Sequence, residues 1–336
     1  MIYCAAMTSA FLIRRALRYA STILIMITLI FFMSHLMPGS PLKNLLGEET
    51  FFDLMSQNPK ALQEMEKVYG LDRPLAEQFW IYLFDLMHFD WGYSYKYRQP
   101  ISDLILFRLK WTMVLLLPAT TLGAFLGAFF GSLAGWLRGS SADSAITSLL
   151  LFVYSMPHYW LAMLLVLVFA FYLDLLPLCG ICSASAQGLQ RLLEILKHMV
   201  LPVSVLTLIG TAYNYTIMRS SVLQVLGEGF VLTARAKGLQ EMDILFHHVL
   251  RNAMLPLVTV IALDFGFMVS GALLVEIVFS WGGMGTLVYD AVLARDYPLL
   301  HGCFLAIACC VLAANFLSDM LYSVLDPRIR EKGAYN

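Results

Sequence analysis

Thr233 to Pro256 reads TARAKGLQEMDILFHHVLRNAMLP, a polar and basic stretch set between two long apolar runs. Its punctuation is that of two short helices joined by a turn. Gly227-Glu228-Gly229 breaks the preceding apolar segment, and Phe230 to Lys237 then forms a short helix. Gly238 supplies the turn, and Met242 to Leu250 forms a second helix that runs into the next apolar run at Pro256. Short cytoplasmic loops of membrane proteins hold an excess of Lys and Arg, so Arg235, Lys237 and Arg251 place this loop on the cytoplasmic side. Ala234 and Ala236 leave little side-chain bulk where another backbone approaches, and Arg235 and Lys237 offer donors to its carboxylates. Positive charge and small residues also satisfy membrane topology alone. The ordered turn favours the docking of a soluble partner.

Working outward, composition fixes the class. Of 336 residues, 60% are hydrophobic and 13% charged, about half the charged share of a soluble domain. The chain is an all-α, polytopic membrane protein. A net charge of -1 carries no bias toward nucleic acid. Apolar runs at 13–37, 109–137, 145–172, 199–218, 254–279 and 300–324 are each near the ~20 residues that cross ~30 Å of hydrocarbon, which gives six transmembrane helices. Arg14, Arg15 and Arg18 set the N-terminus in the cytoplasm, and six spans return the C-terminus there. The inner segments then carry eleven Lys and Arg against three in the short outer loops, Arg191, Lys197 and Arg295. The first span ends at His35-Leu36-Met37-Pro38 without a small-x-small cleavage site, so it reads as a retained anchor.

The organisation follows. Residues 1–37 are a cytoplasmic N-terminus and first span, and 38–108 an extracytoplasmic cap. Residues 109–325 are a five-helix core with a cytoplasmic loop at 219–253, and 326–336 a cytoplasmic tail. In the cap, acids such as Glu64, Glu66 and Glu77 are interleaved with Phe51, Phe52, Phe79, Trp80 and Trp91, a mixture that packs. Short helices are expected near 60–69 and 75–88, docked on the outer ends of the spans.

Ionisable and amide side chains inside spans are functional candidates by default. Asn214, Asp264, Glu276 and Asp319 are candidates for lining a pathway. For Asp264, a pathway carboxylate and a hydrogen-bonded strut between helices weigh about equally. For Glu276 and Asp319 an interfacial carboxylate that reaches water is the simpler reading. His247 and His248 are adjacent, so on a helix they point about 100° apart and share no metal-binding face. No metal site can be argued. Cys179-Gly180-Ile181-Cys182 in an outer loop reads as a possible staple or as two free thiols. The chain contains no Gly-x-x-x-x-Gly-Lys-Ser/Thr phosphate cradle, no His-Glu-x-x-His and no Gly-x-Ser-x-Gly, so catalysis is not expected of it.

Several stretches resemble one family. Thr233-Ala234-Arg235-Ala236-Lys237-Gly238-Leu239, followed by His248-Val249-Leu250-Arg251-Asn252-Ala253, resembles the coupling loop of the dipeptide, oligopeptide and nickel permeases, membrane subunits of binding-protein-dependent ABC importers. Pro38-Gly39-Ser40-Pro41, Tyr69 to Pro74, Phe89 to Ser94, Ser155-Met156-Pro157, Glu276 to Gly285 and Arg295 to Pro298 resemble further signatures, in the expected order. Trp281-Gly282 departs from the usual Pro-Gly.

The resemblance implies a type I ABC importer fold in the cell membrane. It also implies a heterodimer with a second homologous permease, two ATP-binding subunits that hold ATP and Mg, and an extracytoplasmic substrate-binding protein. This chain would hold no cofactor. Thr233 to Leu239, with His248, Arg251 and Asn252, would couple it to an ATPase. The substrate would be a peptide or related small solute, with nickel or a metal chelate as the alternative within the family. An ATP-independent secondary transporter or channel is the alternative from another class; it predicts inverted repeats, which the sequence does not display.

Overall fold

The computed structural model describes residues 9–36, 41–68, 72–183 and 187–325. At 9–16, 34–36, 41, 44, 45, 48, 68, 259, 262–271 and 317–325 only the backbone is described. Among the described residues every element is helical apart from one antiparallel bridge between Tyr93 and Pro100. That is what hydrocarbon demands, because a helix satisfies its own backbone where water cannot.

A helix lies on each apolar run. They are α1 (Ser9–Leu36), α6 (Ile101–Trp136), the pair α7 (Ser141–Tyr154) and α8 (His158–Leu165), α9 (Gly188–Leu226), α12 (Arg251–Val278) and α14 (Tyr297–Leu325). Among the described residues, α6, α9 and Tyr297–Phe316 are long and apolar enough to cross a membrane alone, and Ser141–Tyr154 with His158–Tyr172 pass only together, as a bent pair that is either a broken span or a re-entrant loop. Two expectations need correction. The third run is not straight: α7 and α8 meet at 101° across Ser155-Met156-Pro157, and α8 runs on as a π-helical turn, Val166–Tyr172. Pro157 has no N–H to continue α7 and turns Met156 away from helical geometry. The fourth run is far longer than its apolar core. At 39 residues, α9 is roughly 58 Å long, so polar turns project past ~30 Å of hydrocarbon at its ends. Arg191, Lys197 and Arg219, expected in loops, therefore lie on α9, and the loop proper begins at Gly227 rather than at 219.

The chain divides into two compact units, residues 1–108 with 287–309, and residues 109–286 with 310–336. In the first unit α4 (Pro59–Val68) and α5 (Leu75–Met87) fall on the two expected cap helices. The helices α2 (Pro41–Leu46), α3 (Glu48–Gln57) and α13 (Met284–Leu293) were not anticipated. The segment before α6 is clasped to the chain before α14. Ser94 Oγ donates to Asp296 Oδ2 at 2.6 Å, and the Lys96 amide donates to the same oxygen at 3.0 Å. Asp296 Oδ1 meanwhile accepts from the Leu299 amide at 3.2 Å, so one buried carboxylate caps α14 and holds the outer segment. Lys96 Nζ and Tyr97 OH both reach Asp290, at 2.9 and 2.7 Å. Burial, then the Asp290 carboxylate, push the Tyr97 phenol up to about 12. Burial alone would raise Asp290, but hydrogen bonds from Lys96 and Tyr97 hold it below its usual value.

In the second unit the helices are drawn together by glycine. Gly123, Gly127, Gly131 and Gly135 recur every fourth residue and make one stripe along α6. A Cβ on Gly127 would fall 2.5 Å from that of Asn214 on α9, and one on Gly131 2.7 Å from that of Met218. Backbone is thus packed on side chain, the contact that binds membrane helices when no hydrophobic drive separates them from lipid. A carboxylate and a guanidinium add a polar tie. Arg219 donates to both oxygens of Asp143 at 2.9 and 3.0 Å, joining α9 to the start of α7. The Ser140 side chain caps α7 by accepting from the Asp143 amide at 3.1 Å.

Candidate functional site

The loop that opened the sequence reading is an ordered helix–turn–helix docked on its own spans. α9 ends at Gly227, and α10 (Gly229–Ala236) follows. Val231 and Ala234, three residues apart on one face, are buried in a cluster with Met218 and Val222 of α9. Ile244, Leu245 and Val249 from the return segment, with Ala253 and Leu257 of α12, complete it. α10 is therefore packed on the C-terminal end of α9 and the N-terminal end of α12. Gly238 has φ +76, and its amide donates to Arg235 O at 2.9 Å, ending α10 in a left-handed cap. A Cβ there would touch nothing within 4 Å, so glycine is needed for the backbone angle and not for space. The return begins with a single turn, α11 (Glu241–Asp243), continues as a π-helical segment, Ile244–Leu250, and enters α12 without a break. The Asn252 amide supports that wider turn by donating to His248 O at 2.7 Å.

The side chains divide differently from the expectation. Ala234 is buried and faces the chain's own core, so it offers no outward space; Ala236 is exposed. Arg235 is engaged at home. It donates twice to Glu241 at 3.2 Å, and its guanidinium lies 6.0 Å from the centre of the Trp136 ring. Thr233, Lys237, Leu239, Arg251 and Asn252 are exposed, and His248 is half-buried. The structure exposes five large apolar side chains on the loop, of which only Leu239 was among the expected coupling residues. Phe230, Leu232, Leu239, Met242 and Phe246 are 42 to 61% exposed on this one loop. The available signal was their phase: they are the apolar residues left over once Val231, Ala234, Ile244, Leu245 and Val249 are assigned inward.

The candidate pathway residues fare unequally. Glu276 is fully buried. It accepts from the Thr112 hydroxyl and from the Gly285 amide, both at 2.6 Å, while the Met284 amide donates to Thr112 Oγ1 at 2.7 Å. A Cβ at Gly283 or Gly285 would collide with this carboxylate, which explains both glycines. Beside it the buried Trp281 indole donates to Trp111 O at 2.9 Å. Glu276 is the anchor of a turn, enclosed by its own chain rather than open to water. Asn214 is buried too, donates to Gly210 O at 2.9 Å and keeps an unpartnered Oδ1. The side chains of Asp264 and Asp319 lie outside the described residues.

A cavity of about 330 Å³ lies instead at Thr216, Ile217, Ser220, Ser221 and Gln224 of α9 and Pro256 of α12. Thr216, Ser220 and Gln224 are exposed and recur every fourth residue, a polar stripe on a spanning helix that the search for ionisable groups overlooked. Cys179 and Cys182 are free thiols. Among the described residues no group of three or more His, Cys, Asp or Glu gathers as a metal site.

Comparison with known proteins agrees with this architecture. Residues 102–331 match the family described as binding-protein-dependent transport system inner membrane component, and residues 8–116 match the N-terminal family of such components. The dipeptide transport system permease protein DppB of Escherichia coli K12 is 35% identical, over 96% of this chain and 99% of that protein. A putative peptide transport system permease protein of Brucella melitensis is 33% identical over the same shares. The fold resembles the MetNI methionine ABC transporter in inward-facing conformations, with TM-score 0.55 and 15% identity over 66% of this chain and 96% of that one. An amino acid ABC transporter is similar, with TM-score 0.50 and 16% identity over 68% of this chain and 94% of that one. The chain belongs to the binding-protein-dependent transport system inner membrane component family, the membrane-embedded permease subunits of ABC importers.

Proposed function

We propose that this permease subunit carries peptides, that it is driven by ATP hydrolysed on separate subunits, and that its 227–253 loop receives the mechanical stroke. Two relatives similar over nearly the whole chain, DppB and the Brucella protein, are named as a dipeptide and a putative peptide transport system permease, which supports the substrate class. The observation that carries the coupling role is the docking of α10. Val231 and Ala234 are locked to the ends of α9 and α12, while five apolar side chains and Gly238 face outward. A partner that grips the outward side moves two spans at once. The closing of two ATP-binding subunits, which hold ATP and Mg, then biases a bistable membrane element.

The pathway runs along a shared interface with a second homologous permease, and both termini lie in the cytoplasm. Thr216, Ser220 and Gln224 line its inner part with neutral hydrogen-bonding groups, suited to a solute rich in amides, and Asp264 and Asp319 extend it. A substrate-binding protein delivers the peptide to the outer face. The test is the assembled complex in proteoliposomes with its binding protein: di- and tripeptides are expected to stimulate ATP hydrolysis and to enter. Stimulation by nickel or a metal chelate but by no peptide contradicts the substrate reading, and uptake that survives ATP depletion contradicts the driven mechanism.

A further inference from the structure

We infer that α5, which the sequence assigns to an extracytoplasmic cap, enters the outer half of the membrane and presents a face to lipid acyl chains. The register comes from what it packs on. Phe79, Tyr82, Leu83 and Leu86, one face of α5, join a cluster with Ile23, Ile27 and Ile30 of α1 and Leu305 and Cys309 of α14. Leu305 and Cys309 lie eight and twelve residues past Tyr297, the first residue of α14, so roughly 12 and 18 Å along it. Ile23 and Ile27 sit near the middle of Leu17–Met33, the apolar part of α1. Contacts at those positions are within the hydrocarbon, not above it.

The direction is given by aromatic rings. Phe79 lies 5.2 Å from Phe31 and 6.4 Å from Phe32, between ring centres, near the outer end of α1. The N-terminal half of α5 is therefore the shallower, and its C-terminal half descends toward Ile27 and Ile23.

A second side of α5 is exposed among the described residues. Trp80, Phe84 and Met87, at helical spacing, are 66, 59 and 67% exposed. α1 likewise leaves Ile25, Leu29 and Phe32, at helical spacing, exposed, the side a spanning helix turns to lipid. Polar residues border this side: Arg73 and Glu77 pair at the shallow end at 3.0 Å, Gln78 and Asp85 lie along one edge, and the His88 ring stacks on Phe84 at 4.3 Å just past the helix end. Three sides are thus distinct, one on protein, one apolar and exposed, and one polar. A helix that enters a leaflet obliquely has those three sides.

The consequence is a smaller cap. The part of the first external segment left to meet a binding protein is α2 to α4, not α5.

The test uses the whole complex in nanodiscs containing a phosphatidylcholine whose acyl chain bears a diazirine. After irradiation, adducts are expected on Trp80, Phe84 and Met87 as well as on Ile25, Leu29 and Phe32 of α1. Adducts on α1 with none in 75–89 overturn the inference, whether water, a second permease or another protein covers the face. A second measurement stands apart from adduct chemistry. In a chain with Cys179 and Cys182 changed to Ser, a membrane-impermeant maleimide applied from outside is expected to modify Phe84→Cys at least tenfold more slowly than Met55→Cys on α3. Equal rates overturn it. Neither result depends on the identity of the transported solute.

Discussion

Glu276 shows how much one side chain can organise. Its carboxylate holds Thr112 and the Gly285 amide, and Thr112 in turn holds the Met284 amide, so a turn and the start of α13 hang on a single buried group. Glu276→Ala leaves a buried hydroxyl and an amide without an acceptor and is expected to cost about 2–4 kcal/mol, read as a lower melting temperature of the detergent-solubilised subunit. Unchanged melting contradicts the anchor. The sequence marked Glu276 as noteworthy for being ionisable within a span, and that much was legible. Its role was not, because Thr112 lies 164 residues away and nothing local announces the pairing. Arg219 was misplaced for the opposite reason. A cation near a span end reads as a loop charge, and only Asp143 across the helix interface shows that it is paired.

Elements were legible where period and punctuation agree. The α10–Gly238–return pattern could be read because glycine, helix formers and an apolar restart coincide within a few residues. The 101° break at Pro157 was missed because both flanking helices are apolar and merge into one run in any hydropathy window. The glycine stripe went unread, although its four-residue period is plain once α6 is known to be helical. It yields a prediction for helix pairing. Gly127→Leu drives a side chain into Asn214 and is expected to separate α6 from α9, so that little folded complex is recovered on size exclusion. Gly229→Ala, where a Cβ meets nothing within 4 Å, is the control and is expected to assemble normally. Equal recovery of both variants contradicts the stripe as a packing seam.

The clasp in the first unit responds to pH in a defined window. Asp290 sits below its ordinary 3.8, so its contribution is present above that value and lost as pH falls through the depressed one. Tyr97 sits above its ordinary 10.0, so its contribution is present below that value and lost as pH rises through about 12. Amide exchange at 94–97 is therefore expected to change with protonation only below roughly pH 4 and above roughly pH 10. A transition near neutrality contradicts the assigned pairing.

At the scale of the whole molecule, the account rests on one connection. In the proposed mechanism an ATPase grips the outward side of the 227–253 loop, and the inward side, packed on α9 and α12, carries the motion to them. Fold class and membrane character were legible from composition alone, and family from several short motifs in order. What the sequence lacked was the division of the loop into inward and outward faces, which only the packing of Val231 and Ala234 reveals. That division makes Gly238 the position to probe. Its Cβ direction is open, so Gly238→Ala pays only the left-handed backbone, roughly 1 kcal/mol, and is expected to transport near normally. Gly238→Trp adds bulk on the gripping side without touching the loop's own core. The decisive measurement is peptide uptake and ATP hydrolysis, side by side, in proteoliposomes holding the complete complex with Gly238→Trp. The account predicts a chain that inserts and assembles, hydrolyses ATP, and takes up peptide at least tenfold more slowly than the unaltered complex; uptake at the normal rate contradicts it.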